Sequence, residues 1–552
     1  MSEETTIYVA DRIVTMNPSR PEASAVAVRD GRVLGVGTVA ELEGWGNPTV
    51  DERFADHVLL PGFVEAHAHS MAGALWSYPY LGYYGRDSPD GTHWPGCRSV
   101  ADVLDRLNEI DDELAPDEPL LAWGVEPIYF DEDESLTAAE LDEVSEERPI
   151  FVLHLNSHTA SVNSALIEQD GIDEHTDVEG VATDAAGDPT GVLREPTALM
   201  LVSEDHMRLL ADLSAEPAIR NYGKVARNAG CTTVAELGGP QLTDSEVVDR
   251  WQRVVNDHEF PVRVSMSYSV RQSDRDHADL AQYLANLTEE STEKLRLGGV
   301  KLFMDGSIQG FSARLRWPHY YGGQSNGFWS LSSDPQEVME TMLPYHEAGL
   351  SIDCHCNGDE ASERFVDAVE LLQRESPRFD HRHTVQHCQL ATADQYRRMA
   401  ALGLCVNLFS NHLYYYGDQH YEVTVGPERA ERMNACASAK RAGVPFSVHS
   451  DAPVTPLAPL HTAWSAVNRV TADGRVLGED ERISVDEALR TITVDAAYLL
   501  GMDDEVGTIE AGKRADFAVL EEDPTAVDPA ALRDVPVWGT VMGGEPFPAA
   551  TE

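Results

Sequence analysis

His67 and His69 form an HAH triplet inside the apolar stretch PGFVEAHAHS. Side chains two apart on a strand point to the same side, so both imidazoles can reach one metal ion. Such a pair arises often by chance, and its weight comes from company farther along the chain. His355 stands in DCHC, His387 in VQHC and Asp451 in VHSDAPV. The step from 355 to 387 is 32 residues, and the step from 387 to 451 is 64, twice as long. Lys301 lies upstream of them in the apolar run VKLFM. Imidazole and carboxylate donors suit zinc and its first-row neighbours.

Such residues need strands that end at one mouth. TVAEL (233–237), VRVSMSYSV (262–270), GVKLFMDG (299–306), LSIDCHC (350–356), HTVQHC (383–388), LGLCVNLF (402–409) and PFSVHSD (445–451) read as buried parallel strands. Segments such as DPQEVMETMLPYHEAG and DEASERFVDAVELLQRE have helical periodicity. The repeat is roughly 30 to 40 residues, about one βα unit. With PGFVEAHAH (61–69) in front the count is eight, which predicts an α/β fold built on a (β/α)8 TIM barrel. His67 and His69 then end strand one, Lys301 lies in strand four, His355 in five, His387 in six and Asp451 at the end of eight. That fold gathers catalytic side chains at one mouth of the barrel.

About 165 residues separate the first strand from TVAEL, far more than one unit of about 30 or more residues needs. An insertion at about 75–220 is expected, with strand-like pieces PLLAWGVEP and PIFVLHLNSH, covering one barrel mouth. Residues 6–60 read as short strands and turns, with an Asp-Gly hairpin signal in RDGRV. GTIEAGKRADFAVL and VWGTVMGGEPF repeat that texture near the C-terminus. The predicted division is a small β-sandwich from residues 1–60 and 501–552 around a barrel spanning 61–500.

The motifs PGFVEAHAHS, HTASVNSAL, GVKLFMDGS, DCHCNGDEA, VQHCQL, HSDAPVTPL and GTIEAGKRADFAVL cover nearly the whole chain. In order and spacing they resemble the amidohydrolase superfamily. Within it they resemble the YtcJ-like branch (amidohydrolase family 3), which includes N-substituted formamide deformylases. The resemblance implies a metal-dependent hydrolase of non-peptide C–N bonds, acting on a small N-formyl or other N-acyl amine. His67, His69 and Asp451 would hold one divalent ion, and His355 and His387 a second, with two zinc ions expected. A buried lysine readily loses its proton, and the resemblance implies that Lys301 takes up CO2 to become a carbamate bridging both ions.

In the implied mechanism a metal-activated hydroxide attacks the carbonyl, and Asp451 carries the proton to the leaving nitrogen. His158, in HTASVNSAL, resembles the family's substrate-facing histidine and is either a donor to the oxyanion or a packed residue of the insertion. A homodimer is implied on the same ground. Where such relatives carry SRTA after DGS, this chain has QGFSA (309–313), so contacts around strand four are expected to differ. Two other readings stand beside this one. The first is a deaminase of the same superfamily with one ion on His67, His69, His355 and Asp451 and an unmodified Lys301. The second is a non-catalytic scaffold relative, which would be expected to lose ligands that are all present here.

Other residues carry less. Strand alternation turns Cys354 and Cys356 away from the side that His355 faces, so they read as buried structural thiols. His449, two before Asp451, reads as support for the ligands rather than as one of them. Asp305 reads as shaping its DGS turn, and Glu236 and Glu195 are candidates to touch substrate. His154, His412 and His461 read as ordinary. The aromatic run LYYYGDQHY (413–421) either lines the pocket or packs as a loop.

The chain has 552 residues, 94 Asp+Glu against 41 Lys+Arg and a net charge of −53, with 42% hydrophobic residues to fill a core. That charge repels nucleic acid and anionic membranes, which are therefore excluded as partners. Only Lys224, Lys294, Lys301, Lys440 and Lys513 are lysines; every other basic side chain of that count is Arg. An acidic, lysine-poor surface reads as halophilic, because in molar salt the Debye length falls to roughly 3 Å and screens self-repulsion. Seven cysteines without a paired framework predict a reduced compartment. The N-terminus MSEETTIYVADRIVTM has no basic-then-apolar signal and no apolar run reaches span length, so a cytoplasmic location is expected.

Overall fold

The computed structural model describes residues 5–130, 134–176, 178, 180–203, 206, 208 and 212–550, with backbone alone at 195, 196 and 212. Two compact units emerge. One takes the chain up to His69 and again from Gly223, and the other is Ser70–Tyr222.

The first unit contains the barrel. Its strands are β1 (Phe63–Ala68), β2 (Cys231–Leu237), β3 (Arg263–Ser269), β4 (Leu295–Phe303), β5 (Ile352–Cys356), β6 (Thr384–His387), β7 (Cys405–Leu408) and β8 (Phe446–Val448). They pair in parallel from β1 to β8 in chain order. Apolar side chains bury on both faces, as continuous runs in parallel sheets require. Between strands, amphipathic helices pack outside. In the helix Asp359–Glu375, the side chains of Phe365, Val366, Val369 and Leu372 are buried at i, i+1, i+4 and i+7, each stabilising by about 1.5–3 kcal/mol. Cys354 and Cys356 are fully buried, with sulfurs 3.8 Å apart.

Closure between β8 and β1 relies on little ladder. The single parallel bridge there joins Ala68 and Ala452. Backbone bonds run from Asp451 N–H to His67 O (3.1 Å) and from His69 N–H to Ala452 O (2.8 Å). The buried Glu65 carboxylate completes the seam by accepting from His67 N–H, Ser450 N–H and the Ser450 hydroxyl. Thus the HAH triplet and the Asp451 turn are tied to each other directly.

Strands from both termini form one seven-stranded sheet, in the order 545–548, 537–542, 517–520, 49–61, 6–14, 22–29, 32–37. Residues from six of these strands share one core containing Tyr8, Val26, Val33, Phe54, Phe517 and Val541. The Tyr8 hydroxyl donates to Gly544 O at 2.7 Å. A second, smaller buried cluster joins Ile7, Ala25 and Ala27, other residues of these strands, to Leu42. Asp30 and Gly31 make the hairpin turn, both with positive φ (51° and 72°). The strand 49–61 runs into β1 through Gly62, where a Cβ would sit 1.9 Å from the Thr232 hydroxyl, so only glycine fits.

The second unit has its own five-stranded sheet, ordered 181–183, 189–194, 159–162, 150–154, 120–125. Two buried clusters, one around Trp123 and Phe151 and one around Val103 and Ile150, fill it. All seven cysteines are free and buried. Among the described residues no helix is long and apolar enough to cross a membrane.

Candidate metal centre

His67 ends β1 with its Nδ1 2.7 Å from Gln386 Oε1. That oxygen also accepts from Asn407 Nδ2 (3.0 Å), while Gln386 Nε2 donates to Asp353 Oδ1 (2.8 Å). The network assigns the His67 proton to Nδ1 and leaves Nε2 as a lone pair. Nε2 lies 3.3 Å from Lys301 Nζ and 3.2 Å from Asp451 Oδ1. His69 Nε2 is 3.3 Å from the same carboxylate oxygen. Its Nδ1 is 3.5 Å from Glu236 Oε1, which Gly239 N–H holds at 2.8 Å. Across the mouth, His355 Nδ1 meets His387 Nε2 at 2.9 Å, and His387 Nδ1 is 3.8 Å from Asp451 Oδ2.

His67, His69, His355, His387 and Asp451 stand at or just beyond the C-terminal ends of their strands, and Lys301 lies two residues inside the end of β4. His387 and Asp451 hold positive φ angles of 66° and 53°. For residues other than glycine this costs on the order of 1–3 kcal/mol each, and the surrounding hydrogen bonds hold it. Asp305 accepts N–H bonds from Arg314, Asn357 and Gly358, fixing the loop that follows His355. Burial nevertheless raises the Asp305 carboxyl to about 7.

Electrostatics sort the members. Burial pushes His67 and His387 well below the usual imidazole range and His355 to about 3, so these rings are neutral donors. His69 differs: burial opposes its charge, but Asp451 and Glu236 outweigh it and raise the ring to about 9. Burial likewise works against the Asp451 carboxylate, and contact with His69 more than offsets it, lowering its pKa. Lys301 is fully buried, and burial lowers it to about 8 against the pull of Asp451 and Asp353.

Two groups can hold an ion, His67–His69–Asp451 and His67–His387–His449, each with one ligand atom per residue and all within 4.8 Å. Among the described residues, His387 Nδ1 and both His449 nitrogens are buried without a hydrogen-bond partner. Buried polar atoms are rarely left so, and a cation among them would satisfy them. The donor set fits a borderline divalent metal.

The six residues singled out from the sequence, His67, His69, Lys301, His355, His387 and Asp451, thus meet in one cluster. His158 lies in the second unit, exposed, in the turn before strand 159–162, its N–H donating to Asn156 Oδ1 at 2.8 Å. The Glu195 side chain lies outside the described residues. Glu236 sits beside His69, and His412 packs on Phe409 and bonds to His420. His154 bonds to Ser161, and His461 packs on Tyr414 and Trp464. Sequence reasoning passed over Gln386, Asp353, Asn407 and Glu65. A signal existed: each is a polar residue inside an apolar strand run, and Glu65 is two before His67 on the same face.

A parallel barrel carrying this cluster at its strand ends defines a class of proteins built to hold metal at a barrel mouth. The amidohydrolase family matches residues 55–547, and the chain belongs to it. It is 27% identical over 540 residues to the N-substituted formamide deformylase of Arthrobacter pascens, covering 95% of this chain and 94% of that protein. With the YtcJ protein of Bacillus subtilis it shares 25% identity over 551 residues, 97% of each chain. The fold is similar to that of an uncharacterized metal-dependent hydrolase from Pyrococcus horikoshii, with a TM-score of 0.71 at 17% identity, covering 95% of this chain and 99% of that one.

Proposed function

We propose that the chain is a metal-dependent amidohydrolase that cleaves a non-peptide C–N bond, with N-formyl and other N-acyl amines as its substrate class. The observation that carries this reading is the convergence of neutral buried imidazoles, an ionised Asp451 and a buried Lys301 on one cluster at the barrel strand ends. Family membership and the likeness to a formamide deformylase support it.

His67, His69 and Asp451 would hold one ion and His355 and His387 a second, both zinc by donor chemistry. Bound there, divalent ions supply Lewis acidity toward a carbonyl oxygen and lower the pKa of water. The Lys301 ammonium, its pKa lowered by burial to about 8, would give up one proton, and the free amine would add its nitrogen to the carbon of CO2 and release a second proton, leaving an anionic carbamate. Asp451, held ionised by His69, takes the proton from the attacking water and returns it to the leaving nitrogen. Gln386 keeps His67 in one tautomer throughout.

The seven free, buried cysteines fit a reducing cytoplasm, and the charge of −53 fits a salt-rich one. The enzyme is read as a homodimer. The test is hydrolysis of a panel of formamides, N-acyl amines and aminopurines by metal-reconstituted protein in molar KCl, beside an Asp451→Asn control. Amine release from the first two classes supports the reading. One ion per chain, no extra density on Lys301 and turnover of aminopurines alone would replace it with a single-metal deaminase.

A further inference from the structure

Strand β3 supplies no member of the metal cluster, yet the chain that leaves it stays at the same mouth. The short helical turn Val270–Gln272 follows Ser269 directly. Gln272 Nε2 donates to Gly238 O and Gly239 O, both at 3.0 Å, and Gln272 O accepts from Gln241 Nε2 at 3.1 Å. These bonds tie the turn to the chain just past β2, where Glu236 meets His69. From this anchored turn Arg271 reaches across to β4, with its guanidinium carbon 4.2 Å from the centre of the Phe303 ring. Phe303 ends β4, two residues after Lys301, and its ring lies 5.4 Å from that of His355. One aromatic ring thus separates the guanidinium from an imidazole of the cluster. The charge is felt across that gap: burial first, then Lys301 and also Arg271, lower the His355 ring to about 3.

A small molecule at this mouth meets particular side chains. Those of His67 and His387 are 1% and 2% exposed, whereas those of His69, His355 and Asp451 are 25%, 16% and 12% exposed. Beside the accessible His355 lie the half-buried Phe303 and the exposed Arg271. The carboxylates of the mouth lie on another side, since Asp451 and Glu236 both sit against His69. The mouth is therefore polarised, with acidic groups around His69 and a guanidinium next to His355. A guanidinium stacked on a ring by its face keeps its N–H groups around its edge, and that edge matches the two oxygens of a carboxylate. The rest of the molecule makes such a cation consequential. A chain with a net charge of −53 repels an incoming anion, and a positive group held at the mouth reverses the sign where the anion must settle.

We infer that Arg271, steadied on Phe303, selects substrates that carry a carboxylate close to the amide bond, N-acyl amino acids being the simplest of them. This rests on the amidohydrolase reading above and narrows its substrate class. A carboxylate bound there anchors one end of the substrate on the β3–β4 side and directs the rest toward the accessible His355 and Asp451. A neutral N-acyl amine gains no such anchor.

The test measures kcat/KM of metal-loaded wild type, Arg271→Met and Arg271→Lys at one KCl concentration on two matched pairs. N-acetylphenylalanine and its carboxamide place the carboxylate on the amine half; N-succinylbenzylamine and its carboxamide place it on the acyl half. Wild type should favour the carboxylate member of at least one pair by more than about tenfold, and that pair identifies the half. In Arg271→Met the preference should fall by about 10- to 150-fold, the range for a hydrogen bond to a charged group. Arg271→Lys should keep the sign of the preference and lose part of its size, because lysine is a point charge without the fork; this variant decides if the methionine one fails to fold. No preference in either pair, or one that survives in Arg271→Met, would overturn the inference. A fall shared equally by both members of a pair would also overturn it, as the mark of a structural role. Metal-loaded wild type that turns over none of these compounds and no formamide would remove the amidohydrolase reading itself. Turnover without preference would remove this inference alone.

Discussion

Asp451 owes its charge to two opposed effects: burial favours the neutral acid, and contact with His69 wins in the other direction. Its proposed duty is proton transfer, an effect worth about 100- to 10,000-fold in rate. Asp451→Asn should lower kcat by about that factor in steady-state assays of the metal-loaded enzyme; a loss under about tenfold would assign the proton to another group. Gln386 acts one step further out. Gln386→Ala frees the His67 tautomer and should weaken metal binding about 10- to 100-fold, read by chelator competition; unchanged affinity would mean that His67 is oriented by packing alone. The two residues also differ in how far the sequence reveals them. Asp451 and the histidines were legible because strand ends recur at a βα spacing and because strand alternation pairs His67 with His69. Gln386 was not, since its partners His67 and Asp353 lie 319 and 33 residues away and no local pattern joins them.

Barrel strands could be read one by one, because each is an apolar run followed by a helical period. The pairing of the terminal sheet could not, because Leu59 faces Val519 across the whole length of the chain between them. One buried ion pair joins that sheet to the barrel: Arg263 of β3 donates from Nε and Nη2 to Asp516 at 2.7 and 3.2 Å, both side chains nearly inaccessible. Asp516→Ala strands the guanidinium and should cost about 3–5 kcal/mol, measured by urea unfolding at fixed salt; a loss below about 1 kcal/mol would put the pair in the class of weak surface bridges. A second device lies beneath the outer helices, where His383 takes an N–H from Ile352 and meets His346, which bonds to Ser376 O. Burial holds His383 well below its usual range and lowers His346 and His381, while His420, bonded to Thr424, sits at about 3. In the unfolded chain these rings titrate near about 6.5. Below that pH the unfolded state binds protons that the folded state refuses. The stability present above about pH 6.5 is therefore lost progressively as pH falls toward the folded values. Metal-free protein in constant KCl should show a falling unfolding midpoint from pH 7 to pH 5, about where the unfolded imidazoles titrate; a flat profile would mean that these rings charge in the folded state.

At the scale of the whole molecule, the sign of the salt effect follows from counting. If every one of the 41 basic side chains were paired with a carboxylate, 94 − 41 = 53 acidic groups would still face one another or solvent. Surface bridges such as Arg482–Glu479 and Arg374–Glu370 weaken as salt rises, but each is worth only about 0–1 kcal/mol. Repulsion among the surplus carboxylates is summed over the whole surface, and it relaxes as the Debye length shrinks from about 10 Å at 0.1 M to about 3 Å at 1 M. Repulsion outnumbers attraction, so added salt should stabilise. The buried cluster is shielded from this exchange: Lys301 and His67 are each 1% exposed, and screening acts weakly on charges out of water. Two curves should therefore separate. The thermal unfolding midpoint should climb steeply between about 0.1 and 1 M KCl, the range in which the Debye length falls below typical surface charge spacings, and flatten beyond it. Zinc affinity of the protein that remains folded should change little over the same range. A midpoint indifferent to KCl would remove the halophilic reading, and a metal affinity that tracked the midpoint would mean that the centre is open to the solvent field.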